Sequence, residues 1–257
     1  MHTKEMLQQQ LQDMGILPTD TVLIHTSFKA VGDVEGGPNG FIDAFCEYLS
    51  AGRFIIPTQT WGVVHGEQPV FDVTKTLPNI GLIPRTAAFR PDGIRSLHPT
   101  HSVWIRAKDA EDLIKNEVKA MSPAPLGYFW SNLSELGTKI LLIGVGHNRN
   151  TFIHGVEEVL NIRNRFKDDL WQLTRIDAAG NSVVYPFRQY GFDSSMYFNN
   201  FDRAMTETGA QQFGQIGDAE VRVVDAAKCA EIVTKVYLRA DVDPCASDMT
   251  YPESWWR

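Results

Sequence analysis

Short apolar runs alternate with segments of helical periodicity along most of the chain. Apolar runs of strand length lie at residues 21–25, 53–57, 139–145 and 219–224, and residues 104–107 are a further candidate strand. Apolar residues at helical spacing predict helices over residues 3–14, 41–49, 81–89, 110–118, 128–136, 152–160, 196–208 and 226–238. This order predicts an α/β fold with a mixed sheet, whose parallel strands are joined by helical crossovers.

One segment departs from this alternation. The strand-like residues 171–176 and 182–185 flank Ala178-Ala-Gly-Asn181, an arrangement typical of a β-hairpin. Residues 62–80 and 188–195 are expected to be loops, and a loop as long as the first is often functional. Residues 241–257 carry no clear pattern. Because no repeat or linker divides the sequence, we expect residues 1–257 to form a single domain.

The central stretch joins a buried strand to a helix that carries a histidine. The run at 139–145 ends in glycines, and residues 148–151 offer side chains suited to capping a helix. His154 would then lie in the first turn of that helix, with Glu157 one turn further on. Ligands of α/β proteins usually bind where strands end, so His154 is a candidate general base. The alternative is a capping or core histidine.

Polar clusters follow other predicted strands. They are His25-Thr-Ser27, the segment from Arg95 to Ser102, and Asn150-Thr151. Hydroxyl and backbone donors at such junctions can bind a phosphate or a carbonyl, although each cluster taken alone also fits a simple turn or cap. His98 and His101 have a spacing that some zinc sites use, but Pro99 lies between them and no further ligand is suitably spaced. We therefore expect no metal.

Composition narrows the possible functions. The formal net charge is −7, which disfavours a nucleic-acid-binding protein. The N-terminus has no apolar signal core, no run is long enough to span a membrane, and Cys46, Cys229 and Cys245 show no metal-binding spacing. We therefore expect a cytoplasmic protein. The sequence contains no G-x-S-x-G, G-x-G-x-x-G or P-loop motif, so hydrolase and nucleotide-binding folds of those types are unsupported.

Taken in order, these motifs resemble those of the antibiotic N-acetyltransferase family, typified by aminoglycoside 3-N-acetyltransferases. The resemblance covers roughly residues 5–238. The stretches that carry it are Val22-Leu-Ile-His-Thr-Ser-Phe28, Gly36-Gly-Pro38, Ile56-Pro-Thr58, Phe71-Asp72, Arg95-Ser-Leu-His-Pro99, Ser122-Pro-Ala-Pro-Leu126, Leu141-Leu-Ile-Gly-Val-Gly-His147, Asn150-Thr-Phe-Ile-His154 and Gly214-Gln-Ile-Gly217.

The resemblance implies a fold distinct from that of the GNAT acetyltransferases. It also implies that acetyl-CoA is the donor and that the acetyl group passes directly to an amine of an aminoglycoside, at the 3-N position. His154 would take the proton from the attacking amine, because an ammonium group is not nucleophilic. The partners implied are coenzyme A and a cationic small molecule, and the protein would be a monomer or a homodimer.

The resemblance also assigns binding residues. Those implied for the cosubstrate are His25, Thr26, Ser27, Arg95, Ser96, His98, Ser102, Asn150 and Thr151. Arg95 is suited to a phosphate by its charge and fork geometry. The carboxylates Asp72, Glu67 and Glu157 are assigned to the acceptor, since they would attract a polycationic aminoglycoside.

The sequence departs from the family pattern where an acidic residue should orient the catalytic histidine. Gln189 or Tyr190 aligns at that place, and Asp193 is the nearest carboxylate after the hairpin. We assign the orienting role to Asp193. The alternatives are the same chemistry on another amino sugar or a nucleotide-linked amino sugar, a catalytically weak CoA-binding protein, and a thioesterase.

Overall fold

The computed structural model describes residues 1–163 and 165–257. Its strands form two sheets. The strands are β1 (Thr21–Thr26), β2 (Arg53–Pro57), β3 (Val70–Asp72), β4 (Ile94–Arg95), β5 (Val103–Arg106), β6 (Lys139–Ile143), β7 (Phe166–Ile176), β8 (Ser182–Tyr190), β9 (Gln211–Ile216) and β10 (Ala219–Asp225).

The larger sheet has seven strands in the order β4-β5-β2-β1-β6-β10-β9. Its centre is parallel: in β1, Leu23 lies opposite Ile55 of β2 and Ile140 of β6. The flanking strands β5 and β10 pair with β2 and β6 in antiparallel register. The smaller sheet, β3-β7-β8, is the hairpin with one short parallel strand added. Parallel strands need crossover connections, which the helices supply.

Helices connect and cover the sheets. The α-helices are α1 (Lys4–Asp13), α2 (Phe28–Val31), α3 (Gly37–Tyr48), α4 (Leu82–Ala87), α5 (Ala110–Ile114), α6 (Phe152–Val159), α7 (Asp202–Glu207) and α8 (Ala226–Arg239). Short 3₁₀ helices span Glu117–Lys119, Trp130–Asn132, His147–Arg149, Ser194–Phe201 and Glu253–Trp255. Among the described residues, no helix combines the length and apolarity needed to cross a membrane.

The hydrophobic core lies on both faces of the large sheet. Successive strand residues point to opposite faces, so Leu23 packs under α6 and α8, whereas Val22 packs under α1 and α3. Both side chains are fully buried. This two-sided burial explains why the central strands read as continuous apolar runs rather than as alternating patterns.

The structure confirms the mixed α/β sheet with helical crossovers and the hairpin, and it differs in detail. The strand predicted at 139–145 ends at Ile143, because Gly144 adopts a positive φ of 63° and turns the chain. The hairpin strands are longer than predicted: the first begins at Phe166, and the second continues to Tyr190, into the expected loop at 188–195. The edge strand β9 was missed because its side chains are mostly polar and partly exposed.

The C-terminal segment, residues 240–257, packs against the core although its sequence showed no periodicity. Cys245, Tyr251 and Trp256 are at most 2% exposed and join the same hydrophobic cluster as α6 and α8. Asn200 donates hydrogen bonds to the carbonyls of Pro244 and Ser247 and so attaches the segment to the 3₁₀ helix Ser194–Phe201. The segment therefore belongs to the folded unit around α6.

Candidate active site

A cavity of about 1090 Å³ opens where the carboxyl ends of β1 and β6 face the β7–β8 hairpin. One wall consists of residues 24–29 and 148–151 together with His154, and the opposite wall includes Trp171 and Tyr190 of the hairpin. The loop after β2 and the start of α4 supply further lining residues. The cavity therefore brings together residues 25–27, 150–151 and 154 from the polar strand ends identified in the sequence.

A sharp turn after β6 brings the next helix to this cavity. Gly144 follows the strand at φ +63°, and a Cβ on it would lie 2.5 Å from the Cβ of Ala30. A side chain there would be strained by its backbone conformation and would collide with α2. The chain then forms the 3₁₀ helix His147–Arg149 and enters α6 at Phe152. His154 consequently lies in the first turn of α6 at the cavity wall.

His154 is hydrogen-bonded to Glu157 of the same helix. The two side chains are one turn apart, and Nδ1 of His154 lies 2.8 Å from Oε2 of Glu157. The histidine is 8% exposed and the glutamate 1%. A carboxylate can only accept, so Nδ1 donates, and in the neutral ring Nε2 is then the basic nitrogen. This is the arrangement of a general base whose tautomer is fixed by an acid.

Four donors surround the carboxylate of Glu157. Oε2 also accepts from the hydroxyl of Ser194 at 2.9 Å, and Oε1 accepts from Nε of Arg165 at 2.8 Å and from the hydroxyl of Tyr237. Burial acts to raise the pKa of Glu157, but the contacts with His154, Arg165 and Tyr237 outweigh it and hold this pKa below its ordinary value. Glu157 is therefore ionised at neutral pH.

Glu158 fixes the aromatic ring that packs against His154. The hydroxyl of Tyr190 donates to Oε1 of Glu158 at 2.8 Å, and the ring centroid of Tyr190 lies 4.7 Å from that of His154. Glu158 also accepts from the Ser122 hydroxyl at 2.5 Å and from the amide of Ala124 at 2.6 Å. Burial raises the pKa of Glu158 despite these donors. The pair thus ties the hairpin and the 122–124 loop to the helix of His154.

Three buried polar atoms at the cavity wall have no partner among the described residues: Nε2 of His25, Oγ1 of Thr26 and Oδ1 of Asn150. Buried polar atoms are normally paired, so an unpaired group at the wall of a cavity is available to a ligand. Burial is the main reason that the pKa of His25 falls to about 3, so its ring is neutral at physiological pH. These atoms belong to the strand-end clusters identified in the sequence.

The Arg95 guanidinium does not line the cavity, contrary to the expectation that it holds a phosphate. It is 8% exposed and donates to the carbonyls of Thr58, Val73 and Thr76 and to the hydroxyl of Ser102. Burial lowers the pKa of Arg95 to about 10. The residue ties β4 to two loops, and its donors are already engaged. The expectation that Arg95 contacts the cosubstrate is therefore corrected: Arg95 has a structural role.

The neighbours of Arg95 are engaged in the same way. Ser96 accepts from the amide of Val103, and Ser102 donates to the carbonyl of Thr58 at 2.7 Å. His98 donates from Nε2 to the carbonyl of Ser122 at 3.0 Å, and burial lowers its pKa to about 4. All three side chains are fully buried. Among the described residues of this segment, Thr100 and His101 are the ones that line the cavity.

We expect Arg95→Met to destabilise the fold without weakening coenzyme A binding. The substitution leaves buried carbonyls without donors, so the free energy of unfolding should fall by about 2–4 kcal/mol. The dissociation constant for coenzyme A should stay within about twofold of the wild-type value. Urea denaturation and calorimetric titration measure the two quantities. Weaker coenzyme A binding with unchanged stability would restore the phosphate-binding assignment.

The predicted acceptor-side carboxylates occupy different environments. The Asp72 carboxylate accepts from the amide and hydroxyl of Thr74 and pairs with Lys75 at 3.0 Å, and Glu67 is exposed. Neither is among the described lining residues of the cavity. Glu157 lies behind His154, with its oxygens occupied. The structure thus corrects the assignment of these carboxylates to the acceptor. Asp72 lies in a turn, Glu67 lies at the surface, and Glu157 is the partner of His154.

Asp193 lines the cavity, but its carboxylate is not the one that contacts His154. It accepts from the amide and hydroxyl of Ser195 and caps the 3₁₀ helix that begins at Ser194. The orienting position opposite Nδ1 is taken by Glu157. The sequence contained a signal for this contact, since residues three apart on a helix are neighbours.

The cations that line the cavity were not anticipated from the sequence. They are Lys29 in α2, Arg149 in the 3₁₀ helix before α6, and Lys167 in β7. Asp193 is the single carboxylate among the described lining residues. Thr151, at the same wall, accepts a hydrogen bond from Gln59 at 2.9 Å. The cavity therefore offers positive charge to an anionic ligand beside the unpaired polar atoms of the strand ends.

Comparisons with known proteins place the chain among the antibiotic acetyltransferases. The family model described as aminoglycoside 3-N-acetyltransferase matches residues 23–237. Aminoglycoside N(3)-acetyltransferase IV of Salmonella is 26% identical over 221 residues, which cover 84% of this chain and 79% of that protein. These matches confirm the family resemblance carried by the motifs.

Solved structures share the fold. A mutant of aminoglycoside acetyltransferase AAC(3)-IVa in complex with a gentamicin matches with a TM-score of 0.74 at 26% identity, and the match covers 88% of this chain and 84% of that one. AAC-IIIb, solved as a binary complex with CoASH, matches with a TM-score of 0.77 at 21% identity, covering 89% and 93%. The expected antibiotic acetyltransferase fold is confirmed.

Proposed function

The chain belongs to the aminoglycoside 3-N-acetyltransferase family, whose members are acyltransferases, and we propose that it transfers the acetyl group of acetyl-CoA to an amine of an aminoglycoside, at the 3-N position. The observation that carries the proposal is the His154–Glu157 pair at the wall of a cavity lined by cations and unpaired polar atoms. The named relatives act on aminoglycosides, and AAC(3)-IVa has been solved with a gentamicin.

In this proposal His154 is the general base. The acceptor enters as an ammonium and must lose a proton before its nitrogen can attack. Nε2 of His154 takes that proton, while the carboxylate of Glu157 keeps Nδ1 protonated and stabilises the imidazolium that results. Tyr190 and Phe198, with ring centroids 4.7 and 4.9 Å away, hold the imidazole in place.

The residues at the strand ends suit the acyl donor. Acetyl-CoA, when bound, supplies a thioester as the electrophile. The Thr26 hydroxyl, unpaired among the described residues, can donate to a carbonyl oxygen as negative charge develops on it. Lys29 and Arg149 lie on the same wall and match the charge of the phosphates. The cavity, at about 1090 Å³, lies at the upper end of the range of small-molecule binding pockets.

We expect Arg149→Gln to weaken coenzyme A binding by ~3- to 10-fold, because one charge-assisted contact with a phosphate is lost. Calorimetric titration of coenzyme A measures this, and the difference between variant and wild type should shrink at high ionic strength. Arg239→Gln is the matched control, since Arg239 lies at the end of α8, outside the described cavity lining. Equal affinities for both variants would remove Arg149 from the site.

A second candidate is the same reaction on an amino sugar that carries fewer positive charges. It is favoured by the lining, in which Asp193 is the single described carboxylate against Lys29, Arg149 and Lys167. A polycationic acceptor gains most from several nearby carboxylates, whereas a mono-amino sugar or a nucleotide-linked amino sugar does not need them.

The test is release of free CoA thiol from acetyl-CoA with a panel of aminoglycosides, mono-amino sugars and nucleotide-linked amino sugars, plus an amine-free control. Release that depends on an aminoglycoside supports the proposed function. Release that depends on the other amines alone keeps the chemistry and replaces the acceptor. Release without an amine indicates a thioesterase, and release in no reaction, with coenzyme A bound, indicates a catalytically weak binding protein.

A further inference from the structure

The proposed catalytic pair is connected to the C-terminal segment by one arginine. Arg165 follows α6 and precedes β7, and its side chain is 3% exposed. Nε donates to Oε1 of Glu157 at 2.8 Å, and the two terminal nitrogens donate to the two carboxylate oxygens of Asp243, each at 2.9 Å. A bidentate ion pair of this kind fixes the orientation of the guanidinium as well as pairing its charge.

Tyr237 closes the network. Nη2 of Arg165 donates to the Tyr237 hydroxyl at 3.0 Å, and that hydroxyl donates in turn to Oε1 of Glu157. Asp243 is itself held, because its Oδ1 accepts from the amide of Cys245 at 2.9 Å. The chain of contacts therefore runs from the C-terminal segment through Arg165 to the carboxylate that contacts His154.

We propose that Arg165 and Asp243 are positioning residues of the active site, which orient Glu157 and set the basicity of His154, so that the C-terminal segment takes part in catalysis. The inference rests on the proposed role of His154 as general base. It concerns groups that do not line the cavity and act through Glu157.

The charges alternate along the network, and this alternation determines the sign of the effect that each substitution should have on His154. Glu157 is negative and favours a protonated His154, Arg165 is positive and opposes it, and Asp243 offsets Arg165. Removing the charge of Asp243 should therefore lower the pKa of His154. Removing the charge of Arg165 should raise it. A role limited to stabilising the fold would not produce shifts of opposite sign.

The other groups around His154 and Glu157 are the same in the Asp243 and Arg165 variants. The titratable or charged groups that face His154 or Glu157 from neighbouring elements are Tyr190 and Glu158, His101, Tyr237 and Cys245. Phe192 packs on the guanidinium of Arg165 at 5.9 Å and carries no charge. The shifts can therefore be read as effects of the altered residue.

The test measures the pKa of His154 by NMR titration of its ring nitrogens in the ligand-free protein, with His154→Gln used to assign the signals. Asp243→Asn keeps the oxygen that accepts from the Cys245 amide, and it loses the charge together with one of the two oxygens that accept from Arg165. We expect it to move the midpoint of the His154 ring titration to lower pH, and Arg165→Met to move that midpoint to higher pH. Arg165→Lys, which keeps the charge, should lie between Arg165→Met and the wild type.

The control is Glu253→Gln in the same C-terminal segment, which breaks ion pairs with Arg203 and Arg257 that do not involve Glu157. It should leave the pKa of His154 unchanged. For amine-dependent turnover, Asp243→Asn should lower kcat ~5-fold and shift the acid limb of its pH profile downward with the pKa. Thermal unfolding checks that each variant is folded before it is titrated.

Shifts of equal sign in Asp243→Asn and Arg165→Met, or values matching Glu253→Gln in both, would overturn the proposal. If Asp243→Asn does not fold, the test compares the His154 titrations of Arg165→Met and Arg165→Lys. Only charge-dependent positioning would place Arg165→Lys between the wild type and Arg165→Met. The NMR result does not depend on turnover. Opposite shifts in a protein that acetylates no amine would therefore sustain the network while the proposed function fails.

Discussion

His154→Gln is expected to lower kcat for acetyl transfer by at least ~100-fold, the range in which a positioned general base usually contributes. The glutamine cannot accept a proton from the acceptor ammonium at neutral pH. Coenzyme A affinity should change little, because the proposed contacts with coenzyme A are made by the strand ends and the cavity cations. Steady-state kinetics with saturating acetyl-CoA and calorimetric titration of coenzyme A give the two quantities.

His65→Gln is the matched control for that variant. His65 lies in the loop before β3, where it forms an isolated bridge with Gln68, and it is not among the described lining residues. Its substitution should leave kcat near the wild-type value. Undiminished turnover in His154→Gln would remove His154 from the mechanism. A loss of coenzyme A affinity as large as the loss of kcat would instead make His154 a binding residue.

Glu157→Gln is expected to lower both turnover and stability. The amide no longer fixes the tautomer of His154 or stabilises its imidazolium, so kcat should fall ~100- to 1000-fold. Arg165 loses a buried partner that is 1% exposed, and breaking such a pair costs about 3–5 kcal/mol in the free energy of unfolding. Kinetics and urea denaturation measure the two effects, which should appear together.

Asp193→Asn distinguishes the role of the Asp193 carboxylate from that of Glu157. Asp193 lines the cavity and bonds Ser195, so its substitution should change the acceptor KM more than kcat. A loss of kcat larger in Asp193→Asn than in Glu157→Gln would return the orienting role to Asp193. Full stability in Glu157→Gln would show that Asp243 alone is enough to offset the charge of Arg165.

The stability supplied by Glu157 also depends on pH. Its pKa is lower in the folded protein than in the unfolded chain, so its contribution is fully present above the unfolded value of ~4.3. The contribution is lost as the pH falls through the folded pKa. The difference in unfolding free energy between wild type and Glu157→Gln should therefore be constant near neutrality and decrease in acid.

The central strands and the main catalytic candidate could be predicted from the sequence because their signals are local. The runs at 21–25, 53–57 and 139–145 are apolar since both faces of those strands are buried. His154 could be found because it lies in the first turn of the helix that follows such a strand. Its contact with Glu157 is equally local, but the family pattern places the orienting acid after the hairpin, where Asp193 is the nearest carboxylate.

The remaining features depend on contacts between residues far apart in the chain. Arg95 has the charge to bind a phosphate, and only the fold shows that its donors are engaged by backbone carbonyls. Asp243 and Tyr237 reach the site from the C-terminal region, which has no periodicity beyond α8. β9 is a polar edge strand defined by pairing with β10 rather than by its own pattern. No local rule predicts such pairings.

Identification of the product is the most direct test of the central claim, that the His154–Glu157 pair serves acetyl transfer to an amine. The wild-type protein would be incubated with acetyl-CoA and a single purified gentamicin component, and the products examined by mass spectrometry and NMR. The account predicts one acetyl group on the nitrogen at position 3, formed by the wild type and not by His154→Gln. Free acetate without an acetylated amine, or the same product at the same rate from His154→Gln, would contradict it.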